Sequence, residues 1–344
     1  MFDTRRQTLM QIEARSAKDA VANQMVRNKE ILGSMRSLFK RQPPTAVITC
    51  ARGSSDHAAT YLRYILETRL GLLSTSLAPS VSSLYGHWPH VEGSLCVAIS
   101  QSGASDDLLS VVEGYAKADV TTVALLNDCE SPLAGLAEIV VPLHAGRERS
   151  VAATKSFIAS MFAALQIADC LQPGLVAIDE LQALPDKLDE AWAIEWLPLL
   201  ECLMPARGLY VIGRGIGLSA AGEAALKFKE TCKLHAESYS AAEVRHGPMA
   251  LFDRGFPVLI FRQDDASARG IDELASLAVA SGCKVFVVGG QTAGATNLDT
   301  VSASALLSPI IQIQTFYRAV NELALMRGCD PDHPPLLKKV TVTL

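Results

Sequence analysis

SLCVAISQSGASDDLLSVVEGYAKA, residues 94–118, decides the fold. Its first seven residues form a short apolar run of the kind found in strands buried on both faces. A turn rich in hydroxyls and containing glycine follows, and a helix is predicted through DDLLSVVEGYAKA. The same strand, turn and helix order recurs outward from this stretch. TAVITC (45–50) is read as a strand, with an amphipathic helix in ARGSSDHAATYLRYILETRL; TTVALLN (121–127) and EIVVPL (138–143) are two further strands. In the second half GLYVIG (208–213), a helix from about Ser219 to Lys233, PVLIF (257–261), a helix through ELASLAVASG and KVFVVGG (284–290) repeat the order. Short apolar strands alternating with helices predict an α/β protein with parallel sheets covered on both faces.

The two halves read as copies. Aligning the ARG and GRG turns sets Gly53 opposite Gly215, an offset of 162 residues, and sets Ser100-Gln101-Ser102-Gly103 opposite Arg262-Gln263-Asp264-Asp265. Two aspartates would repel an anion, so an anion site is expected in the first half only. The expected organisation is a helical lead-in (1–42), a first α/β subdomain (43–170), a structured helical linker (171–205), a second subdomain (206–328) and a tail (329–344). The tail, PPLLKKVTVTL, is read as ending in a β-type alternation. LLSPIIQIQTF near Leu306 is apolar but short and broken by Pro309 and glutamines.

Composition bounds the function. With 49% apolar and 19% charged residues the chain has the makeup of a globular protein with a substantial core. A net charge of −5 argues against a nucleic-acid partner, which needs a basic field, but not against a small phosphate. The eight cysteines are scattered without a CxxC pair, as expected of reduced structural thiols. The first residues lack a signal-peptide core, and no apolar run approaches the roughly 18 residues that span a membrane. A soluble, cytoplasmic protein without a membrane partner is expected.

Candidate chemistry falls in a few places. The loop Ser100–Ser105, SQSGAS, lies between a strand and a helix, where hydroxyls, backbone N–H groups and the helix dipole bind phosphate; by itself it is equally well explained as a serine N-cap. Ser55, in the GSSDH turn, could reach the same anion, while Asp56 and His57 could cap the helix. VAATKSF (151–157) offers backbone amides at Val151 and Ala152 together with Thr154 and Lys155. In EAALKFKE, Glu223, Lys227 and Glu230 fall at i, i+4 and i+7 and share one helix face. That spacing equally describes a surface ion-pair ladder. A partly buried Glu230, steered by Glu223 and Lys227, would be a base for a carbon acid. His246 precedes Gly247-Pro248, which forces a bend, and is either structural or an acid–base group. A desolvated lysine of the tail pair Lys338-Lys339 could form a Schiff base with a keto sugar. The remaining histidines have no metal-ligand spacing, so no metal is inferred.

SQSG, VAATKSF, GRG…EAALKFKET, HAESY…VRHGPMAL and a terminal Lys-x-VTV together resemble the sugar-isomerase (SIS) domain family, in particular the isomerase half of glucosamine-6-phosphate synthase. The resemblance covers nearly the whole chain beyond about residue 40. It implies two flavodoxin-like three-layer α/β/α SIS subdomains, no metal or organic cofactor, and a homodimer with shared sites. It assigns Ser55, Ser100, Gln101, Ser102 and Ser105 to the phosphate and sugar; Val151, Ala152, Glu223 and Lys227, read from their local sequence, are expected in the same substrate-binding set. It makes Glu230 the base between carbons 1 and 2, His246 a ring-opening group from the neighbouring subunit, and Lys338 the lysine engaging the open-chain sugar. The sequence also departs from the synthase. Its loop reads SQSGAS followed by Asp106-Asp107 where SQSGET is usual, Pro335 replaces an arginine, and the roughly 40 leading residues are too few for a glutaminase domain. SQSGxSxDLL with VAATKSF looks more like the SIS-type glucosamine-6-phosphate deaminases. The expected reaction is glucosamine 6-phosphate to fructose 6-phosphate and ammonia. The alternatives are plain aldose–ketose isomerisation, a deglycase acting on a sugar–amino acid adduct, and a non-catalytic sugar-phosphate sensor.

Overall fold

A computed structural model describes residues 7–339. They form two five-stranded sheets in which every strand pair is parallel. The chain divides into two compact units that interleave in sequence. One takes Asp19–Glu148, Lys155–Ala177 and the tail from Lys338; the other takes the residues up to Lys18, Arg149–Thr154 and Ile178–Leu337.

In the unit beginning at Asp19, strands β1 (Val47–Ala51), β2 (Ser74–Ser76), β3 (Leu95–Ser100), β4 (Thr121–Leu126) and β5 (Ile139–Pro142) lie in the order β2-β1-β3-β4-β5. Every residue of β1 and β3 is buried, as their unbroken apolar runs predict. Ile48, Cys50, Cys96, Ala98, Ala124 and Leu126 of the sheet pack on Leu108, Val111, Val112 and Tyr115 of a following helix. Of the helices in chain order, α1 (Leu9–Arg15) belongs to the other unit. Those flanking this sheet are α2 (Ala17–Arg27), α3 (Lys29–Arg41), α4 (Ser54–Ile65), α5 (Pro79–Ser83), α6 (Asp106–Lys117), α7 (Pro132–Leu136) and α8 (Lys155–Leu171).

The other unit holds α9 (Ile178–Ala193) and α10 (Leu197–Leu203), then β6 (Gly208–Gly213), α11 (Gly217–Cys232), β7 (His235–Ser240), β8 (Pro257–Phe261), α12 (Ala268–Ala280), β9 (Lys284–Val288), β10 (Thr296–Leu298) and α13 (Ser308–Met326). Its strand order is β10-β9-β8-β6-β7, the same topology as the first sheet. Shifted by 162 residues, Leu95 at the start of β3 falls on Pro257 at the start of β8, so the internal copy is real at the level of strands.

Three sequence expectations change. The edge strands β2, β7 and β10 were not anticipated: β2 and β10 have three residues each, and HAESYS of β7 is mostly half-exposed and polar. The LLSPIIQIQTF stretch is not broken by Pro309. Proline sits at the first turn of the 19-residue α13, where its missing N–H costs no intrahelical bond. Its glutamines are buried and bonded, Gln312 Nε2 donating to Arg262 O (2.9 Å) and Gln314 Nε2 to Ala14 O (3.1 Å). Asp56 does not cap α4 but accepts from Ser76 Oγ (3.1 Å). The β-type alternation read at residues 340–344 lies outside the described residues.

Five of the eight thiols are buried, and burial pushes Cys170 up to about 11 and Cys232 up to about 12, which suits packing rather than reactivity. No helix among the described residues is long and apolar enough to cross a membrane.

Candidate active site

In the first sheet the strand order reverses between β1 and β3. The crevice outside the carboxyl ends of such strands is where open α/β sheets bind ligands. The Ser100–Ser105 loop leaves β3 there, and the turn containing Ser55 leaves β1 beside it. Ser100 is buried and its Oγ accepts from Gly103 N (3.0 Å); Gln101, Ser102 and Ser105 are half-buried. Ser105 is the N-cap position of α6 in extended geometry, yet its side chain makes no capping bond, so the ordinary-cap reading does not account for it.

Gly103 is obligatory. Its φ is +59°, and a Cβ there would lie 2.0 Å from Ser131 Oγ. Gly103→Ala is therefore expected to displace the loop, and a loss of affinity for inorganic phosphate relative to the unaltered chain, read by calorimetric titration beside circular dichroism, would tie the loop to anion binding. Unchanged phosphate affinity would detach this loop from anion binding.

Arg52, which the sequence does not mark as a site residue, and Asp107, marked there only as a departure from the family loop, tie the two turns together. Arg52 Nε donates to Asp107 Oδ2 (2.8 Å), and a second guanidinium nitrogen lies 2.7 Å from the same oxygen. Asp107 is almost fully buried. Of Asp106-Asp107, Asp107 is thus neutralised by Arg52, and Asp106 is exposed. The usable signal was the arginine in the first βα turn, but its partner lies 55 positions away. In the second copy Asp265 accepts from Ser267 N (2.8 Å) and Oγ (2.6 Å), and Asp264 is exposed beside Arg262. Those aspartates tie down the turn ahead of α12 and leave no equivalent hydroxyl loop.

In the other unit α11 carries the acid–amine cluster. Small residues Ala220, Ala221, Gly222, Ala224 and Ala225 let the helix be buried nearly all round. It packs against β6, β7 and α13. Glu223 and Lys227 have no exposed side-chain surface, whereas Glu230 retains 22%. Lys227 Nζ donates to Glu230 Oε2 (2.5 Å) and lies 3.3 Å from Glu223 Oε1, which also accepts from Tyr317 OH on α13 (2.8 Å). Desolvation pulls the Lys227 pKa down, but the two carboxylates outweigh it and hold the amine above the ordinary lysine range. The surface-ladder reading is thereby replaced: one ammonium, locked in its charged form, fixes two carboxylates, of which only Glu230 meets solvent.

Val151 and Ala152 belong to a segment held by two buried acids of the same unit. Glu13 on α1 accepts from Arg149 N (2.5 Å) and Ser150 N (3.0 Å). Val151 N donates to Asp332 O (3.2 Å), while the Asp332 carboxylate accepts from Leu9 N and Met10 N (2.9 and 2.8 Å) at the head of α1. Neither acid was singled out from the sequence. Their partners are backbone amides, which leave no sequence pattern.

Two other expected residues are exposed. His246 is exposed in a short 3-10 turn, Glu243–His246, that ends where Gly247 takes φ +139° before Pro248. Lys338 is exposed, so the desolvation expected of a Schiff-base lysine is not met there, whereas its neighbour Lys339 is ion-paired with Glu148 (2.8 Å). Among the described residues no group of three or more His, Cys, Asp or Glu could hold a metal ion.

The geometry can be set beside known proteins. The SIS domain family model matches residues 42–169 and 203–297. A glutamine–fructose-6-phosphate aminotransferase (isomerizing) of Pyrobaculum aerophilum is 33% identical over 310 residues, covering 85% of this chain and 50% of that protein. The chain thus spans about half the length of the curated relatives it matches. A candidate phosphosugar isomerase of Silicibacter pomeroyi DSS-3 is 40% identical, with a TM-score of 0.90 over 95% of this chain and all of that one. A glucosamine-6-phosphate deaminase of Thermotoga maritima shares the fold, with a TM-score of 0.73 at 22% identity over 94% of this chain and all of that one.

Proposed function

The chain belongs to the SIS domain family, and on that premise we propose that it is an enzyme converting glucosamine 6-phosphate and water to fructose 6-phosphate and ammonia. The observation that carries this reading is the α11 cluster, in which a fully buried ammonium orients a carboxylate that is still partly accessible. Such a carboxylate is fixed in direction and open to a ligand, as a base acting on a carbon acid requires.

The 6-phosphate is assigned to the hydroxyl loop Ser100, Gln101, Ser102 and Ser105 with Ser55, and the sugar hydroxyls to the backbone of Val151 and Ala152, where the Val151 N–H is already taken by Asp332 O and leaves its carbonyl for the sugar. His246 opens the ring to the aldehyde; its exposed turn suits delivery to a second copy of the chain. Glu230 then takes the proton from carbon 2 and returns it to carbon 1. The resulting imine at carbon 2 adds water and releases ammonia, leaving the ketone. Lys227 holds the Glu230 carboxylate in direction throughout, with Glu223 balancing its charge. Lys338 is assigned to the open-chain sugar.

The likeness to the Silicibacter protein favours a second reading, aldose–ketose isomerisation of a phosphosugar without loss of an amine. One assay separates the two. Purified protein is given glucosamine 6-phosphate while ammonia and fructose 6-phosphate are followed together. Equal appearance of both products is expected. Interconversion of aldose and ketose phosphates without ammonia would replace the deaminase by the isomerase, and tight binding with neither would contradict an enzymatic role.

A further inference from the structure

Glu148 has no exposed side-chain surface, although its neighbourhood in sequence is polar. Its Oε1 accepts from Ser156 N (3.2 Å) and its Oε2 from Ser156 Oγ (2.6 Å), in the first turn of the 17-residue helix α8. Lys155 Nζ donates to Arg147 O (2.8 Å), closing the same turn a second time. The helix head stabilises the buried carboxylate, but a charge without water also requires a cation. That cation comes from the tail: Lys339 Nζ lies 2.8 Å from Glu148 Oε2 and keeps only 23% of its side-chain surface. A pair between exposed groups would contribute little. Here one partner is sealed, so the pair holds the tail more firmly than an exposed one would.

Lys338 precedes this anchor directly, and consecutive Cα atoms are about 3.8 Å apart. Pinning Lys339 therefore confines the backbone of Lys338 to a few ångströms while leaving its own amine exposed and unengaged by Glu148. We propose that Lys339 is a positioning residue that plugs the tail into the Glu148 socket and so holds Lys338 where the open-chain sugar is met. This rests on the assignment of Lys338 made above. The division of labour has a chemical logic, since an amine neutralising a buried carboxylate is a poor nucleophile and its neighbour stays available.

The test compares Lys339→Met, Lys339→Arg and Glu148→Gln with the unaltered chain in two readouts: kcat and KM for glucosamine 6-phosphate, and hydrogen exchange of backbone amides in the peptide containing Lys338. Lys339→Met and Glu148→Gln are expected to lower kcat about 10- to 100-fold, as misplacement by about 1 Å does, with a smaller change in KM. Both should accelerate exchange in the tail, and Lys339→Arg should restore much of each. Faster exchange with unchanged kcat would overturn the positioning role. A lower kcat with unchanged exchange would overturn the anchor and make Lys339 itself the acting amine. No change in either would overturn both. If the unaltered chain turns over no sugar phosphate, the functional reading fails instead, and exchange alone still tests the anchor.

Discussion

Replacing Glu230 by Gln is expected to lower turnover of glucosamine 6-phosphate by about three orders of magnitude or more, within the 10²–10⁴-fold range typical of a positioned base. Substrate affinity should change by less than about threefold. The amide keeps the shape of the side chain and can still accept from Lys227, whose Nζ lies 2.5 Å from Oε2, but it cannot take a proton. An effect confined to kcat separates loss of the base from loss of the site. Steady-state kinetics beside calorimetric binding of fructose 6-phosphate would read both. Near-normal turnover in this variant would remove Glu230 from the mechanism.

The largest effect on stability is expected at Lys227. Lys227→Met leaves Glu223, with no exposed side-chain surface, and the adjoining Glu230 without their counter-charge. Breaking a buried pair from one side costs about 3–5 kcal/mol. The Tyr317 hydroxyl remains on Glu223 Oε1 at 2.8 Å but carries no charge. The double substitution Glu223→Gln with Lys227→Met should recover part of that loss, because no sealed charge is then left unpaired. Because the folded-state pKa of Lys227 is raised, its contribution is fully present below the ordinary lysine range and disappears as pH climbs through the folded value. Denaturant unfolding at neutral pH therefore reads the whole effect. If the single variant unfolded at the same denaturant concentration as the unaltered chain, the cluster would not be the structural unit described.

The sequence was informative where burial writes a pattern. Central strands such as β3 and β8 are unbroken apolar runs because both of their faces are covered, and the 162-residue repeat follows from them. Edge strands are covered less and held partly by backbone bonds, so HAESYS carried no comparable signal. Within the candidate site the common face of Glu223, Lys227 and Glu230 follows from helix geometry alone. Their burial does not. It depends on α13 and Tyr317, 94 residues further along the chain. Arg52 with Asp107 and Glu148 with Lys339 are pairs of the same kind, separated by 55 and 191 positions. Such contacts are made by topology, which brings β1 beside β3 and the tail to the head of α8, and no local spacing encodes them. The lysine pair shows the consequence: nothing in the local sequence tells which of the two lysines is engaged, and the structure pairs Lys339 with a sealed carboxylate.

The most direct test of the account is the fate of the hydrogen on carbon 2. Glucosamine 6-phosphate deuterated at that position would be incubated with the unaltered chain and with Glu230→Gln, and the label followed by NMR. The unaltered chain is expected to move deuterium from carbon 2 to carbon 1 of fructose 6-phosphate or into water, and the variant to leave it in place. Deuterium retained at carbon 2 by the unaltered chain, or displaced equally well by Glu230→Gln, would contradict the proposed mechanism.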